Sequence, residues 1–98
     1  MKMVKIIVDE FIKTADKLNN VYGMSSIMEI KYANQLIEII NIMNKASDME
    51  IDWEYVIVDK HIVFDYRRSE KDESDKAFAF TSKAELVAEE FLRRIKAE

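Results

Sequence analysis

Hydrophobic positions recur along this chain with two different periods, and the period changes near residue 47. Over residues 3–22 the apolar side chains other than Ile6 fall within one half of a helical wheel drawn at about 100° per residue, and charged residues fill the other half. This pattern predicts an amphipathic helix, with Gly23 placed to end it in a left-handed conformation. The alternative for residues 3–8 is a β-strand.

A second helical pattern covers residues 27–46. Ser26 and Glu29 have the spacing of a capping box, which predicts where this helix begins. Its apolar side chains span roughly 200°, against the ~100° stripe that a surface helix needs. A helix this broadly apolar needs covering on two sides. Either it is the central helix of a monomer, or part of it meets a second copy, with Asn41 helping to set the register.

The period falls to two residues in the stretch DMEIDWEYVIVDKHIVFDYRR, residues 48–68, which predicts a β-hairpin. Asp59 and Lys60 are the expected two-residue turn. On the apolar face this turn pairs Ile57 with Ile62, Tyr55 with Phe64, and Trp53 with Tyr66. On the opposite face it pairs Asp52 with Arg67, Glu54 with Asp65, Val56 with Val63, and Val58 with His61. Cross-strand aromatic and β-branched pairs stabilise such a hairpin.

After the charged connector 68–75, the residues KAFAFT, 76–81, predict a third strand. The expected faces are aromatic for Phe78 and Phe80, and acidic for Ala77 and Ala79. Ser82 and Glu85 form a second capping box, opening a helix over 83–97. The predicted fold class is therefore α+β, in the order ααβββα: a three-stranded antiparallel sheet with one face covered by helices.

Composition limits the size and the setting of this fold. The chain has 98 residues, 49% hydrophobic and 35% charged, with one glycine, no proline and no cysteine. We therefore expect a single domain over 1–98, made almost entirely of helix and strand. The N-terminal residues lack the continuous apolar core of a signal peptide, and no apolar run is long enough to span a bilayer. These features predict a cytoplasmic protein without membrane contact.

The sequence offers little catalytic chemistry. His61 is the single histidine and follows the expected turn. Glu54 and Asp65 are the one paired-carboxylate candidate for acid–base chemistry, and a solvated sheet face would not raise either pKa enough for that role. The acidic residues show no metal-ligand spacing, and one glycine cannot form a phosphate-binding loop. We expect no enzyme activity, no catalytic residue, no metal and no cofactor.

Acidic residues dominate the first strand. Residues 46–59 contain five acids and no base, within a chain of net charge −4. An extended backbone places alternate residues on one face. The candidate protein-binding residues are Asp48, Glu50, Asp52, Glu54 and Asp65. Such a surface argues against direct nucleic-acid binding and favours a protein partner with a basic surface. The other interpretation is the ordinary polar face of a half-exposed sheet.

Three functions remain in contention. The first is a small non-enzymatic protein-binding module that occludes a basic surface of a nucleic-acid-handling enzyme. In size, acidity and lack of catalytic residues the chain is similar to phage-encoded inhibitors such as anti-CRISPR proteins and other nucleic-acid mimics; this similarity is compositional and transfers no site. The second is a structural or regulatory homodimer associating through helix 27–46. The third is a small-ligand binder with Trp53, Tyr55 and Tyr66 around a cavity.

Overall fold

A computed structural model of the protein describes residues 2–67 and 78–95. It contains three helices and three strands, in the order α1 (Lys2–Val21), α2 (Ser26–Ala46), β1 (Ile51–Val56), β2 (His61–Arg67), β3 (Phe78–Thr81) and α3 (Ala84–Arg94). The strands form an antiparallel sheet in the order β1-β2-β3. The predicted α+β class and element order are confirmed.

Helix α1 forms as its apolar periodicity predicts, and the alternative strand over residues 3–8 is wrong. Phe11, Ala15 and Leu18 are spaced at three and four residues and are buried. Gly23 follows the helix with φ of 82°, a conformation that glycine adopts without strain. The chain can therefore reverse within a few residues and begin α2 beside α1.

The predicted start of α2 is displaced by one residue. Ser25, with φ of −150° and ψ of 109°, is the N-cap, and its hydroxyl oxygen accepts a hydrogen bond from Met28 N at 3.3 Å. Ser26 is already helical, so the capping box of Ser26 with Glu29 is wrong. Two adjacent serines are equally good caps by composition. The extended backbone at Ser25, which follows from the turn at Gly23, decides between them.

The hairpin has the predicted faces but a different register. Tyr55 lies opposite Ile62, and Trp53 lies opposite Phe64, a shift of two residues from the expected pairing. The loop contains four residues, 57–60, instead of two. A two-residue type I′ turn needs positive φ at both central positions, which Asp59 and Lys60 do not favour. In the longer loop the described non-glycine residue with positive φ is Lys60, at 54°.

A shift of two residues keeps every side chain on its own face, because strand side chains alternate with a period of two. It does change the partners. Ile51 enters the core at 5% exposure, while Ile57, expected in the core, lies in the loop and is 76% exposed. Asp52 now lies opposite Asp65, and Glu54 lies opposite Val63. The predicted Glu54–Asp65 pair is wrong.

The third strand presents the opposite face to the one expected. Ala79 lies opposite Tyr66 and packs against the core, whereas Phe80 lies opposite Asp65 and is 69% exposed. Tyr66 is itself buried, and its cross-strand neighbour on the inner face is the small side chain of Ala79. The predictions for Ala77 and for the Phe78 side chain lie outside the described residues.

Helix α3 differs from the prediction at both of its ends. Its N-cap is Lys83, which makes no side-chain cap, so the box of Ser82 with Glu85 is wrong. Instead the Thr81 hydroxyl oxygen accepts a hydrogen bond from Lys83 N at 3.0 Å and turns the chain from strand to helix. The helix ends at Arg94, earlier than predicted, because Ile95 forms an isolated bridge with Ser47.

All three helices lie on one face of the sheet. Helix α1 is central: it packs between α2 and α3 and contacts β2. Phe11 of α1 meets Phe64 of β2 with ring centroids 5.2 Å apart and an interplanar angle of 55°. Helix α2 contacts β1, and α3 contacts β2 and β3. No helix within the described residues is long and apolar enough to cross a membrane.

Candidate protein-binding site on the open sheet face

The outer face of the sheet carries the acidic residues that the sequence singled out. Among the described residues the helices pack on the inner face, so this surface stays open. Its described side chains are Asp52, Glu54 and Val56 from β1, His61, Val63 and Asp65 from β2, and Phe80 from β3. Alternation with the buried Ile51, Ile62 and Phe64 positions them, because each strand turns its core residues inward.

Three carboxylates surround the middle of this face. Asp52 and Asp65 are direct cross-strand neighbours, an arrangement that places like charges opposite each other. Glu54 and Phe80 complete the rim of a shallow groove of about 80 Å³. Asp52 Oδ1 accepts a hydrogen bond from Trp53 N at 2.8 Å, which orients that carboxylate. Within the described chain, none of the three carboxylates forms an ion pair.

Phe80 gives this surface an aromatic component that the sequence reasoning missed. Its side chain was expected in the core and instead lies beside Asp65 with 69% of its area exposed. A large exposed ring beside carboxylates suits the recognition of lysine or arginine, since the ring contacts the aliphatic stem or the cation while the carboxylates pair with the charge. The alternation of KAFAFT, residues 76–81, predicts a strand but is equally consistent with Phe80 on the inner or the outer face of the sheet.

Asp48 and Glu50 belong to a different surface from Asp52 and Glu54. They precede β1 and line a broad groove of about 590 Å³ with residues from the end of α2. Ser47 shapes this segment: its hydroxyl donates to Met43 O at 2.7 Å and accepts from Met49 N at 3.2 Å. The five predicted residues therefore form two groups, with Asp52, Glu54 and Asp65 together and the other two acids at the sheet's end.

His61, at the start of β2, also lines a second cleft, of about 410 Å³, between α1, β2 and the start of α3. Its Nδ1 is 3.1 Å from Asp59 O, a contact within the hairpin loop. Polar side chains from α1, including Lys13 and Asp16, share this cleft with Glu85 of α3. In the part of the chain that the structure describes, no group of three or more histidine or acidic residues could hold a metal ion.

The three aromatic residues of the ligand-binding hypothesis pack into the protein. Tyr55 stacks on Tyr22 with centroids 3.6 Å apart and an angle of 13°. Tyr66 is 8% exposed, and Trp53 is half-buried against the core. The Tyr55 ring joins the sheet to α1 through Tyr22, and no observation favours a ligand between the three aromatic residues.

Helix α2 is buried along only part of its broad apolar arc. Leu36, Ile40 and Met43 face the core. Ile27, Ile30 and Ile37 are 79%, 63% and 46% exposed, and Asn34 and Asn41 are exposed beside them. These five residues follow spacings of three and four in turn, as in the seam of a coiled coil.

No protein-family model, curated protein or solved structure matches this chain. Its surface chemistry therefore carries the functional argument.

Proposed function

We propose that this protein is a non-enzymatic protein-binding module whose open sheet face binds a partner surface rich in lysine and arginine. The observation that supports it is the grouping of Asp52, Glu54 and Asp65 around the exposed Phe80 ring. An aspartate opposite an aspartate weakens the sheet, so this arrangement has no advantage for the isolated fold. The positive charges of a cationic partner would attract both carboxylates and so offset this repulsion.

Within this class we propose an inhibitor that occludes the basic channel of a nucleic-acid-handling enzyme. Alternate residues on a strand, such as Asp52 and Glu54, lie roughly 6.5–7 Å apart. A rigid row of carboxylates at that spacing can form ion pairs with lysine and arginine side chains that otherwise bind phosphates. Charge complementarity would also speed association. Asp48 and Glu50 line a separate groove at the end of α2 and are not part of this row.

A charge-reversal pair tests the proposal. The double variant Asp52→Lys/Glu54→Lys reverses two charges on the face, and Glu10→Lys/Glu89→Lys makes the same change in net charge on exposed positions of α1 and α3. Wild type and both variants are immobilised and used to isolate partners from a cell lysate at rising salt. We expect the strand variant to lose the partner and the helix variant to keep it.

A second measurement identifies the surface on the partner. Duplex DNA added to the isolated complex should displace the protein if both occupy one basic channel.

Equal loss of binding by both double variants would mean that net charge alone matters, and the open face would then be an ordinary solvated one. Retention of the partner by the strand variant would refute the proposal outright.

A homodimer through α2 is the second candidate, favoured by the exposed seam of Ile27, Ile30 and Ile37. Parallel helices in register would pair Asn34 with Asn34 and Asn41 with Asn41, and buried asparagine pairs of this kind select two-stranded parallel coiled coils. Light scattering over a concentration series should then give a mass of twice 11.6 kDa at high concentration. The variant Ile30→Lys/Ile37→Lys should restore the monomer; a monomeric wild type would dismiss this candidate.

A further inference from the structure

Within the described residues, the backbone groups along the outer edge of β1 are only partly paired. Side chains occupy part of it: Asn44 Oδ1 accepts from Ile51 N at 2.9 Å, and Asn44 Nδ2 donates to Ile51 O at 3.3 Å. Trp53 N donates to Asp52 Oδ1. The backbone groups of residues 51 and 53 therefore point away from β2, and by alternation so do those of Tyr55. Within the described chain, no strand pairs with this edge.

The helix layer of this fold needs more width than the sheet that it covers. Packed helix axes lie about 8–10 Å apart, whereas neighbouring strands lie about 4.7–4.9 Å apart. Three helices side by side therefore need more width than three strands, and α2 is the helix that contacts β1, the strand at this edge. Ile37 and Ile30 precede Asn44 by seven and fourteen residues, about two and four helical turns, on the same side of α2. Both are substantially exposed.

A fourth strand fits this position. Side chains on its inner face would pack beneath Ile30 and Ile37 of α2, so they should be aliphatic. Side chains on its outer face would lie beside Asp52 and Glu54, so they should be basic, because opposite charges across a strand pair are stabilising. The edge therefore selects a segment in which apolar and basic residues alternate.

A second copy of this chain is the poorer occupant. Its own β1 carries Asp52 and Glu54 on the same outer face. Pairing two such strands about a two-fold axis at Glu54 places one Glu54 directly opposite the other, and like charges across a strand pair are destabilising. A basic segment from a different protein meets no such repulsion.

We propose that β1 accepts an antiparallel strand from the partner, an extended segment in which lysine or arginine alternates with aliphatic residues. This rests on the proposed function and specifies how its basic partner is held. Main-chain hydrogen bonds to the Trp53 carbonyl and to both backbone groups of Tyr55 supply affinity, because Trp53 N already donates to Asp52 Oδ1, and the acidic face selects the sequence. The Asn44 side chain limits the pairing to the half of β1 beyond Ile51.

A peptide of alternating lysine and valine, as long as β1, is the probe. Its control has the same composition with the lysines grouped at one end. Two further versions carry N-methyl groups on the valines alone or on the lysines alone. In an antiparallel pair the residues opposite Trp53 and Tyr55 have side chains on the inner face and amides toward β1. Valine N-methylation should therefore remove those hydrogen bonds, and lysine N-methylation should not.

Fluorescence anisotropy of the labelled peptides and amide hydrogen exchange of the protein are the two readouts. We expect the alternating peptide to bind, valine methylation to weaken it on the order of tenfold or more, and lysine methylation to leave it nearly unchanged. Exchange of the Tyr55 amide should slow on binding. Absence of binding by the alternating peptide, or equal binding of both methylated forms, would overturn strand addition.

The variant Asp52→Lys/Glu54→Lys separates this inference from the proposed function. If it abolishes binding while both methylated peptides bind wild type equally, the acidic face binds basic partners and the edge does not pair. If it binds the alternating peptide as wild type does, the acidic face is not the determinant and the proposed function fails. Loss of peptide binding by the charge-reversed variant, together with loss of binding on valine methylation, supports both the proposed function and strand addition.

Discussion

The two faces of the sheet are built on the same three strands and differ in what surrounds them. The inner face carries Ile62, Phe64 and Tyr66 under three helices, each 8% exposed or less. The outer face carries Asp52, Glu54 and Asp65 beside an exposed phenylalanine. Few substitutions are tolerated on the inner face because its side chains are buried. Nothing in the fold requires the charges on the outer face. Residues that stability does not need are where binding is best sought.

The largest expected effect comes from removing a ring on the inner face. Phe64→Ala should lower the free energy of unfolding by about 3–5 kcal/mol, since Phe64 is 1% exposed and packs on Phe11. Phe80→Ala on the outer face should change it by about 0.5 kcal/mol or less. Urea denaturation of both variants measures the difference. Similar losses for the two would mean that the faces are wrongly assigned.

The second effect concerns the boundary between helix α2 and the edge of β1. Asn44→Ala removes both hydrogen bonds to Ile51 and should cost about 1–3 kcal/mol, because the Ile51 amide and carbonyl lose their partner. Asn41→Ala, one turn earlier on the exposed side of the same helix, is the matched control and should be nearly neutral. Thermal unfolding of the two variants checks this; equal melting temperatures would contradict the assigned role of Asn44.

The cap of α2 gives a smaller effect. Ser25→Ala should cost about 1 kcal/mol by removing the acceptor for Met28 N, whereas Ser26→Ala should be close to neutral because its side chain caps nothing. Chemical denaturation of both single variants measures it. A greater loss for Ser26→Ala would restore the capping box expected from the sequence.

The smallest effect is a gain in stability on the outer face. Asp52→Asn should raise the free energy of unfolding by roughly 0.2–0.5 kcal/mol, because it removes the repulsion from Asp65 while keeping an oxygen for Trp53 N. Glu54→Gln should gain less, since Glu54 lies opposite Val63. Both gains should shrink as salt screens the charges. A loss of stability in Asp52→Asn would indicate a structural role for this carboxylate.

Periodicity was sufficient for much of the fold. The spacing of Phe11, Ala15 and Leu18 predicted a buried helix face, and alternation over β1 and β2 assigned their residues to the correct faces. The candidate site was predicted in part, because Asp52, Glu54 and Asp65 lie together while Asp48 and Glu50 border another groove. An alternating pattern does not state where a strand begins, and β1 begins only at Ile51.

The failures share a physical cause, which is competition between nearly equivalent local choices. Ser25 and Ser26 are both good caps, and the backbone direction after Gly23 selects the first. Both faces of β3 were open to Phe80, and the space beside Tyr66 admits Ala79. Local preferences differ little in energy in such cases. A different case is the hydrogen bond in which Asn19 Oδ1 accepts from Ile62 N at 3.1 Å, because a contact between distant segments leaves no periodic signal in the sequence.

The sequence by itself determined the buried face of α1 and the inner and outer faces of β1 and β2, because the periods of helix and strand are properties of the backbone. It also determined that the outer face would be acidic. Only the tertiary structure decided which residues lie opposite one another. The turn geometry displaced the register to Asp52 with Asp65, and the packing of the inner face turned Phe80 outward. Cross-strand partners depend on the register between two separate segments, and a periodic pattern within one segment carries no information about that register.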